Sequence, residues 1–189
     1  MRVKICGITR LEDALLAEAL GAFALGFVLV PGSRRRIAPE AARAIGEALG
    51  PFVVRVGVFR NQPPEAVLRL MEEARLQVAQ LHGEEPPEWA EAVGRFRAWA
   101  KPLLATGRRV ILAGGIAPEN LEEVLALRPY ALDLASGVEE APGVKSAEKL
   151  RALFARLASL RMEGGSGGAT PTTRTWRRPW RRRASPGAS

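Results

Sequence analysis

Apolar residues along this chain recur with two alternating spacings, every second residue over short stretches and every third or fourth over longer ones. The first spacing is typical of half-buried strands and the second of amphipathic helices. Strands are predicted at residues 2–8, 23–30, 52–59, 77–81, 109–113 and 131–134, and helices at about residues 9–20, 39–49, 64–75, 86–93, 118–127 and 146–160. Strands and helices that alternate in this way favour a parallel sheet covered by helices.

Signals at the ends of these elements refine the predicted fold. Thr9 is expected to cap the first helix, with Glu12 three residues later completing a capping box, and Gly21 is expected to end that helix. Small residues at the ends of the apolar strands favour a barrel over a doubly wound sheet. No Gly-x-Gly-x-x-Gly follows the first strand, which disfavours dinucleotide binding.

The number of strands is lower than a complete barrel requires. Six strands are predicted, whereas a (β/α)₈ barrel has eight. The shortage lies between Trp89 and Arg109, a connection too short for two more βα units of roughly 30 residues each. We therefore expect an α/β fold of the (β/α)₈ family that is incomplete, with about six βα units. Residues 1–161 are predicted to form this domain, with an internal deletion near residues 96–98.

Positive charge is concentrated at the end of the chain. The sequence carries 28 Lys and Arg against 20 Asp and Glu, a net charge of +8, and residues 162–189 hold six of the Arg and a single Glu. Because this tail is Gly/Ser-rich at its start and lacks any helical or strand period, it is predicted to be disordered. Nucleic-acid contact through Trp176 and Trp180 is one interpretation. A tail without a role is the simpler one, so nucleic acid is not favoured as a partner.

The remaining composition is that of an ordinary folded domain, with 47% hydrophobic and 25% charged residues over the chain. No apolar run approaches the ~20 residues that span a bilayer, so no membrane association is expected. The sequence starts with a charged strand rather than a signal peptide, and its single cysteine excludes an intrachain disulfide. Together these features predict a cytoplasmic protein.

Cys6 is the first candidate for chemistry. It ends the first strand, within Lys-Ile-Cys-Gly-Ile-Thr at residues 4–9, and strand ends that lead into loops build the active site of a parallel barrel. The alternative is a small buried side chain without reactivity. As a base, the thiol would need a positive neighbour that favours the thiolate, and Lys4 on the same strand face is the candidate.

Two glycine motifs predict a phosphate site. Gly114 and Gly115 follow the strand at residues 109–113, and Ser136 and Gly137 follow the next strand. Glycine lets backbone N–H groups approach an anion without an intervening Cβ. The loops after the last two strands of a barrel commonly bind phosphate. A phosphorylated small molecule is therefore the expected partner.

Three further polar residues at strand ends are candidates for substrate contact. Arg35 lies in a run of three arginines after the second strand. This run is either a solvated basic loop or a site where one guanidinium binds a carboxylate bidentately. His82 ends the fourth strand and is assigned a structural or substrate-contact role. Asp133 interrupts the last apolar strand, so its carboxylate is expected to point into the barrel mouth or to pair with a neighbour. His82 has no partner at metal-ligand spacing, and no metal is predicted.

Taken in order, five motifs resemble the phosphoribosylanthranilate isomerase family of tryptophan biosynthesis. They lie at residues 4–9, 33–37, 80–83, 113–116 and 133–139, and the resemblance covers residues 1–96 and about 98–161. It implies a TIM barrel that catalyses an Amadori rearrangement without a cofactor. The substrate would be N-(5′-phosphoribosyl)anthranilate, an aminoaldose phosphate, and the product 1-(2-carboxyphenylamino)-1-deoxyribulose 5-phosphate, an aminoketose phosphate.

The resemblance also implies roles for the candidate residues. Cys6 is similar to the family's general base, which removes the proton from the sugar C2 of an imine intermediate. Arg35 resembles the arginine that binds the anthranilate carboxylate, and Asp133 a pocket residue near the anthranilate. The motifs at residues 114–115 and 136–137 look like the phosphate site.

One part of the family's pattern has no counterpart in this sequence. The family's general acid is an Asp at the end of the sixth strand, and no residue here aligns with it. Because general acid catalysis contributes typically ~10²–10⁴-fold, turnover is expected to lie orders of magnitude below that of a complete relative. The alternative is an inactive barrel remnant that binds phosphate ligands, or nucleic acid through its tail. Sugar-phosphate isomerases with paired Asp are a weaker alternative, and association between copies of the chain is left open.

Overall fold

The computed structural model describes residues 1–84 and 111–163, without the side chains of residues 161–163. Its strands are β1 (Arg2–Cys6), β2 (Ala24–Val28), β3 (Val54–Phe59), β4 (Val78–Leu81), β5 (Ile111–Ala113), β6 (Ala131–Leu134), β7 (Glu139–Ala141) and β8 (Val144–Lys145). Its helices are α1 (Leu11–Ala19), α2 (Pro39–Ala48), α3 (Pro64–Glu73), α4 (Leu121–Ala126) and α5 (Ala147–Glu163). Short 3₁₀ turns lie at Pro118–Asn120 and Ser136–Val138.

Strands β1 to β6 form one sheet in the order β4-β3-β2-β1-β6-β5, and every pair is parallel. The first strand lies between the second and the last, so that Lys4 is opposite Ala24 in β2 and Asp133 in β6. A parallel barrel closes through this pairing of its first and last strands. The predicted incomplete (β/α)₈ fold is confirmed, because the described part has six such strands and no pairing between β4 and β5.

The two faces of the sheet differ because side chains alternate along each strand. In β1, Val3 and Ile5 are buried in the apolar core that the sheet shares with the helices. Lys4 and Cys6 point to the other face, where they line cavities inside the open barrel. The last helix, α5, buries one apolar face, which includes Leu150, Leu153 and Leu157. None of the described helices is both long and apolar enough to cross a membrane.

Most predicted boundaries differ from the observed ones by a few residues. The last helix continues to Glu163, two residues beyond the predicted end of the domain. The helix predicted at residues 118–127 begins with the 3₁₀ turn and becomes α-helical at Leu121. Three predictions lie outside the described residues: the helix at residues 86–93, the break near residues 96–98, and the tail from residue 164 onward.

The predicted cap of the first helix is wrong. The residue that caps α1 is Arg10, with no side-chain hydrogen bond, and Thr9 lies one residue outside. The Thr9 hydroxyl instead donates to the carbonyl oxygen of Gly143. Gly143 belongs to the turn of the β7–β8 hairpin, which the sequence pattern did not predict. A partner distant in sequence therefore replaced the local capping bond. Gly21 does follow the end of α1, with a φ of 98°.

Candidate active site

A cavity of about 510 Å³ opens at the carboxyl ends of the strands. Its walls come from the ends of the six sheet strands and from residues that follow β2 to β6. The lining residues are Cys6, Val28, Val30, Pro31, Gly32, Ser33, Arg35, Val58, Arg60, Gln80, His82, Ala113, Gly114, Gly115, Ile116, Asp133, Ala135 and Ser136. A volume of this size lies in the range of ordinary small-molecule sites.

The structure brings the predicted site residues together with one exception. The candidates for base, carboxylate contact and phosphate binding, except Gly137, all line this one cavity. Gly137 packs against the loop that follows β5, where a Cβ would overlap the carbonyl oxygen of Ile116. We conclude that Gly137 is required for the close approach of two loops, and its direct contact with a ligand stays a prediction.

Cys6 reaches the cavity because the neighbouring strand offers it space. Gly26 of β2 is its register partner. A Cβ on Gly26 would lie 2.7 Å from the Cys6 Sγ and 3.1 Å from the Lys4 Cε. The thiol and the lysine side chain therefore pack against the same glycine, and any larger residue at position 26 would displace them.

The electrostatic setting of Cys6 differs from the one expected. Burial raises the pKa of the Cys6 thiol, since the charged thiolate loses water. The Lys4 ammonium lowers this pKa, as expected from their shared strand face, but the Asp133 carboxylate raises it again. The net direction is upward, so Lys4 offsets only part of the cost of burying a thiolate.

A buried ion pair joins β1 to β6, and its carboxylate lines the cavity. The Lys4 Nζ donates to both carboxylate oxygens of Asp133, at 2.9 and 2.8 Å. The Gln80 amide of β4 donates to the same carboxylate at 3.4 Å. Burial alone would lower the pKa of Lys4, but the Cys6 thiolate and the Asp133 carboxylate together raise it. The sequence left two options for Asp133, and the structure shows both, since it faces the cavity and is paired.

Arg35 is held by a carboxylate that the sequence analysis did not identify. Its Nε donates to both carboxylate oxygens of Glu139 at 3.0 Å, and its Nη2 donates to Oε2 at 2.7 Å. The arginine side chain passes over Gly7, whose Cβ would lie 2.7 Å from the Arg35 Cδ. Gly7 has a φ of 77°, a conformation that favours glycine.

Lys145 is a second residue that the sequence analysis missed. Its side chain is fully buried, and its Nζ donates to the Cys6 carbonyl oxygen at 2.5 Å and to Glu139 at 2.7 Å. Its backbone N–H donates to Asp13 at 2.9 Å, and Asp13 also pairs with Arg10. Burial lowers the pKa of Lys145, although Glu139 partly counters this. A charge buried so deeply is tolerated only with such partners.

The glycine motif after β5 presents open backbone to the cavity. Gly114 and Gly115 are exposed, with φ of 89° and 64°, and a Cβ on either would meet no atom within 4 Å. Asn120 holds the loop, because its side chain donates to the Gly115 carbonyl and accepts from the Ala117 N–H. Ser136, also exposed, begins the 3₁₀ turn on the other side of the cavity mouth.

His82 lies at the rim of the cavity and is exposed. Its backbone N–H donates to the Phe59 carbonyl oxygen at 2.8 Å, which extends the pairing of β3 and β4. Within residues 1–84 and 111–163, no group of three His, Cys, Asp or Glu is arranged to hold a metal ion.

Comparison with known proteins identifies the family. The model of the N-(5′-phosphoribosyl)anthranilate isomerase family matches this chain in two stretches, residues 3–105 and 98–156. The chain belongs to this family. An isomerase of the same name from Trichlorobacter lovleyi is 38% identical over 194 residues, with 80% of this chain and 95% of the relative covered. One from Thermotoga maritima is 36% identical over 195 residues, with 80% and 95% covered.

Solved structures agree with this assignment. The phosphoribosylanthranilate isomerase from Thermus thermophilus is 78% identical and superimposes with a TM-score of 0.82, covering 85% of this chain and all of that one. Another isomerase, in complex with reduced 1-(o-carboxyphenylamino)-1-deoxyribulose 5-phosphate, is 36% identical with a TM-score of 0.78, covering 84% of this chain and 99% of that one. The predicted fold family and isomerase function are thereby confirmed at the level of the family.

Proposed function

We propose that this chain binds N-(5′-phosphoribosyl)anthranilate in the cavity and converts it to the aminoketose phosphate with Cys6 as the base, at a rate far below that of a complete relative. The observation that carries the proposal is the position of Cys6. Its thiol lies on the floor of a cavity whose rim holds Arg35 on one side and the Gly114–Gly115 loop on another.

The distribution of polar groups fits a ligand with an anion at each end. The open backbone at Gly114 and Gly115 suits a phosphate, and Ser136 adds a hydroxyl. Arg35 suits the carboxylate of the anthranilate ring, because a guanidinium binds carboxylates through parallel N–H donors. A related isomerase was solved with a ligand that carries both groups, a carboxyphenylamino end and a 5-phosphate end.

In the proposed reaction Cys6 moves one proton. The thiolate removes the proton from C2 of the ring-opened imine, whose nitrogen is protonated. The C–H electron pair becomes the C1=C2 double bond, and the C=N pair becomes the lone pair of a neutral amine. Ketonisation of the resulting enol then adds a proton at C1 and releases the proton of the C2 hydroxyl. Because C1 is reduced and C2 is oxidised within one molecule, the reaction is an intramolecular oxidoreduction and needs no external oxidant or cofactor.

The slow rate follows from the step before this one. Ring opening needs a proton on the furanose oxygen, and general acids contribute typically ~10²–10⁴-fold. Of the described residues that line the cavity, Asp133 alone carries a carboxylate, and it already accepts two hydrogen bonds from Lys4. A proton for the ring oxygen must then come from a less suitable donor.

Two findings support an internal loss of the strand pair that would carry the family's acid. The family model matches in two stretches rather than one. The alignment with the Trichlorobacter lovleyi enzyme spans 194 positions, more than the 189 residues of this chain, although only 80% of the chain takes part. The relative therefore has positions that this chain lacks, and we place the loss near residues 96–98.

The experiment is a fluorescence assay that follows loss of the anthranilate substrate. The purified full chain is compared with a version in which the two missing βα units are restored, each with and without Cys6→Ser. We expect slow turnover by the chain, turnover at least ~10²-fold faster by the restored version, and loss of both in the Cys6→Ser variants. Turnover that survives Cys6→Ser, or equal turnover by the two versions, would overturn the proposal.

The proposal also favours a reducing compartment. A base that acts as a thiolate must remain a free thiol, and the cytoplasm keeps thiols reduced. The family match favours the isomerase over the alternative of a remnant that binds nucleic acid through its tail.

A further inference from the structure

The β7–β8 hairpin places two buried charges in contact with residues that line the cavity. Glu139 is 6% exposed and Lys145 is 2% exposed, and their side chains are 2.7 Å apart. Neither residue lines the cavity. Both nevertheless contact residues that do, since Glu139 binds the guanidinium of Arg35 and Lys145 binds the carbonyl oxygen of Cys6.

Further hydrogen bonds hold Glu139 and Lys145 in place. Glu139 accepts from Arg35, from Lys145 and from the Gly143 N–H at 3.2 Å. The Lys145 backbone N–H is fixed by Asp13. The hairpin thus links Cys6 at the end of β1 to Arg35 in the loop after β2, and the proposed reaction uses both side chains.

We propose that Glu139 and Lys145 are positioning residues of the isomerase site: Glu139 orients the Arg35 guanidinium toward the ligand carboxylate, and Lys145 fixes the backbone of Cys6 and supplies positive charge near its thiol. The inference rests on the proposed function, because Arg35 and Cys6 have their roles from it. It goes further by assigning the orientation of Arg35 and the positioning of Cys6 to residues of one hairpin.

The geometry explains what Glu139 does for Arg35. Two nitrogens of the guanidinium, Nε and Nη2, donate to Glu139. Among the described residues nothing accepts from Nη1, so that group and the second proton of Nη2 remain for a ligand. A guanidinium fixed on one edge loses little further freedom when it binds a carboxylate on the other, which favours affinity.

Lys145 acts on the thiol together with other charges. The groups that face Cys6 are Lys4 on its own strand, Asp133 on β6, Lys145 on β8 and Arg35 in the loop after β2. The cation of Lys145 lowers the pKa of the thiol. Loss of Lys145 should therefore move the titration of Cys6 to higher pH, and it should also release the Cys6 carbonyl.

The first test measures ligand affinity. Binding of reduced 1-(2-carboxyphenylamino)-1-deoxyribulose 5-phosphate to the full chain is followed by calorimetry, with Glu139→Gln as the variant. We expect affinity to fall about tenfold or more, as for loss of a charge-assisted hydrogen bond. The matched control is Glu47→Gln, because Glu47 also accepts from two arginines, Arg43 and Arg75, but lies on the surface. It should bind the ligand like the parent.

The second test needs no ligand. Because Cys6 is the single cysteine, mass spectrometry of the intact chain reports its alkylation by iodoacetamide as a function of pH. Lys145→Met should raise the pH midpoint by about one unit, the usual effect of a nearby opposite charge. Lys145→Arg should restore much of the parent midpoint. Lys145→Gln replaces the Met variant if that one does not fold.

A merely structural hairpin would give a different pattern. The variants would then melt at lower temperature, with unchanged alkylation midpoint and unchanged ligand affinity in the folded protein, and this result would overturn the inference. Failure of the parent itself to bind the ligand would count against the proposed function. In that case the midpoint shift in the Lys145 variants still decides the role of Lys145.

Discussion

The Lys4 ammonium donates to both carboxylate oxygens of Asp133 across the β1–β6 pair, with side chains only 8% and 7% exposed. This contact joins the first strand of the sheet to the last one at a register pair. It lies on the face that lines the cavity and not in the apolar core. The pair therefore contributes both to closing this side of the barrel and to the charge around Cys6.

Removal of one partner of this pair should destabilise the fold strongly. Asp133→Ala leaves the Lys4 ammonium buried without its carboxylate, and breaking a buried pair in this way costs about 3–5 kcal/mol. The measurement is the free energy of unfolding from a urea titration. The double variant Lys4→Met/Asp133→Leu should regain most of the loss, because it leaves no unpaired charge.

The control for this prediction is Glu47→Ala on the surface, where the change should be much smaller. Because the pKa of Lys4 is raised above 10.5 in the folded chain, its pairing contributes fully below that pH and is lost only as the pH rises further. A double variant as unstable as Asp133→Ala alone would contradict the argument.

Gly26 supplies a second prediction, about the space that Cys6 occupies. A Cβ at position 26 would lie 2.7 Å from the Cys6 Sγ. Gly26→Ala should therefore cost about 1–3 kcal/mol of stability, the usual cost of overpacking, and it should also slow alkylation of Cys6. Cys6→Ala in the same chain removes the sulfur and should restore part of the stability. The control is Ala24→Ser in the same strand, a small change that should affect stability less. Gly21→Ala is not used as a control, because the φ of 98° at Gly21 would itself make alanine strained.

The site residues divide into those that local sequence predicts and those that it does not. Cys6 and the Gly114–Gly115 loop could be placed because strand ends in a parallel sheet lie at one edge, and strands are readable from their period. Glu139 could not be assigned to the site from the sequence, because its partner Arg35 is 104 residues away. Its hairpin is also too short to show a period.

Competition between local and distant partners explains the wrong cap. Thr9 and Glu12 have the spacing of a capping box, yet the Thr9 hydroxyl bonds to Gly143, which is 134 residues away in sequence. Lys145 was missed for the same reason, since its contact with Cys6 spans 139 residues. Only the folded hairpin brings these groups together, so the electrostatics of the site were the least predictable part.

The acid dependence of stability should report on Glu139. Burial alone would raise the pKa of Glu139, but Arg35 and Lys145 outweigh it, and the net pKa is lowered from 4.5. A depressed carboxyl pKa contributes stability that is present above the unfolded value and lost as the pH falls through the folded value. The parent should therefore melt at higher temperature than Glu139→Gln near pH 7, and the gap should shrink below pH 4.5.

Thermal melts of both proteins from about pH 7 to about pH 3 measure this gap. Glu47→Gln again serves as the control, because the pKa of Glu47 is lowered too, but by exposed arginines whose effect salt should screen. A gap between the parent and Glu139→Gln that is constant over the whole range would contradict the assignment of a charged, paired Glu139.

The two ends of the sheet lead to a prediction about association. In the part of the chain that the structure describes, β4 and β5 each pair with one neighbour. Val78 of β4 and Ile111 of β5 also line a second cavity, of about 180 Å³, inside the open barrel. Strand edges without a second neighbour favour pairing with another chain. We expect dimers or larger species to form as concentration rises, measured by sedimentation velocity.

Two lysine substitutions separate the strand edge from another apolar surface as the cause of this association. Ile111→Lys puts an inward-pointing charge on β5, a feature that natural edge strands use against pairing, and it should shift the equilibrium toward monomer. Phe52→Lys changes an aromatic residue that is 90% exposed and belongs to neither edge strand, and it should leave association unchanged. Circular dichroism checks that both variants fold. Association that Phe52→Lys abolishes and Ile111→Lys does not would assign the contact to the surface at Phe52, and a parent that stays monomeric at every concentration would show that its edges are protected.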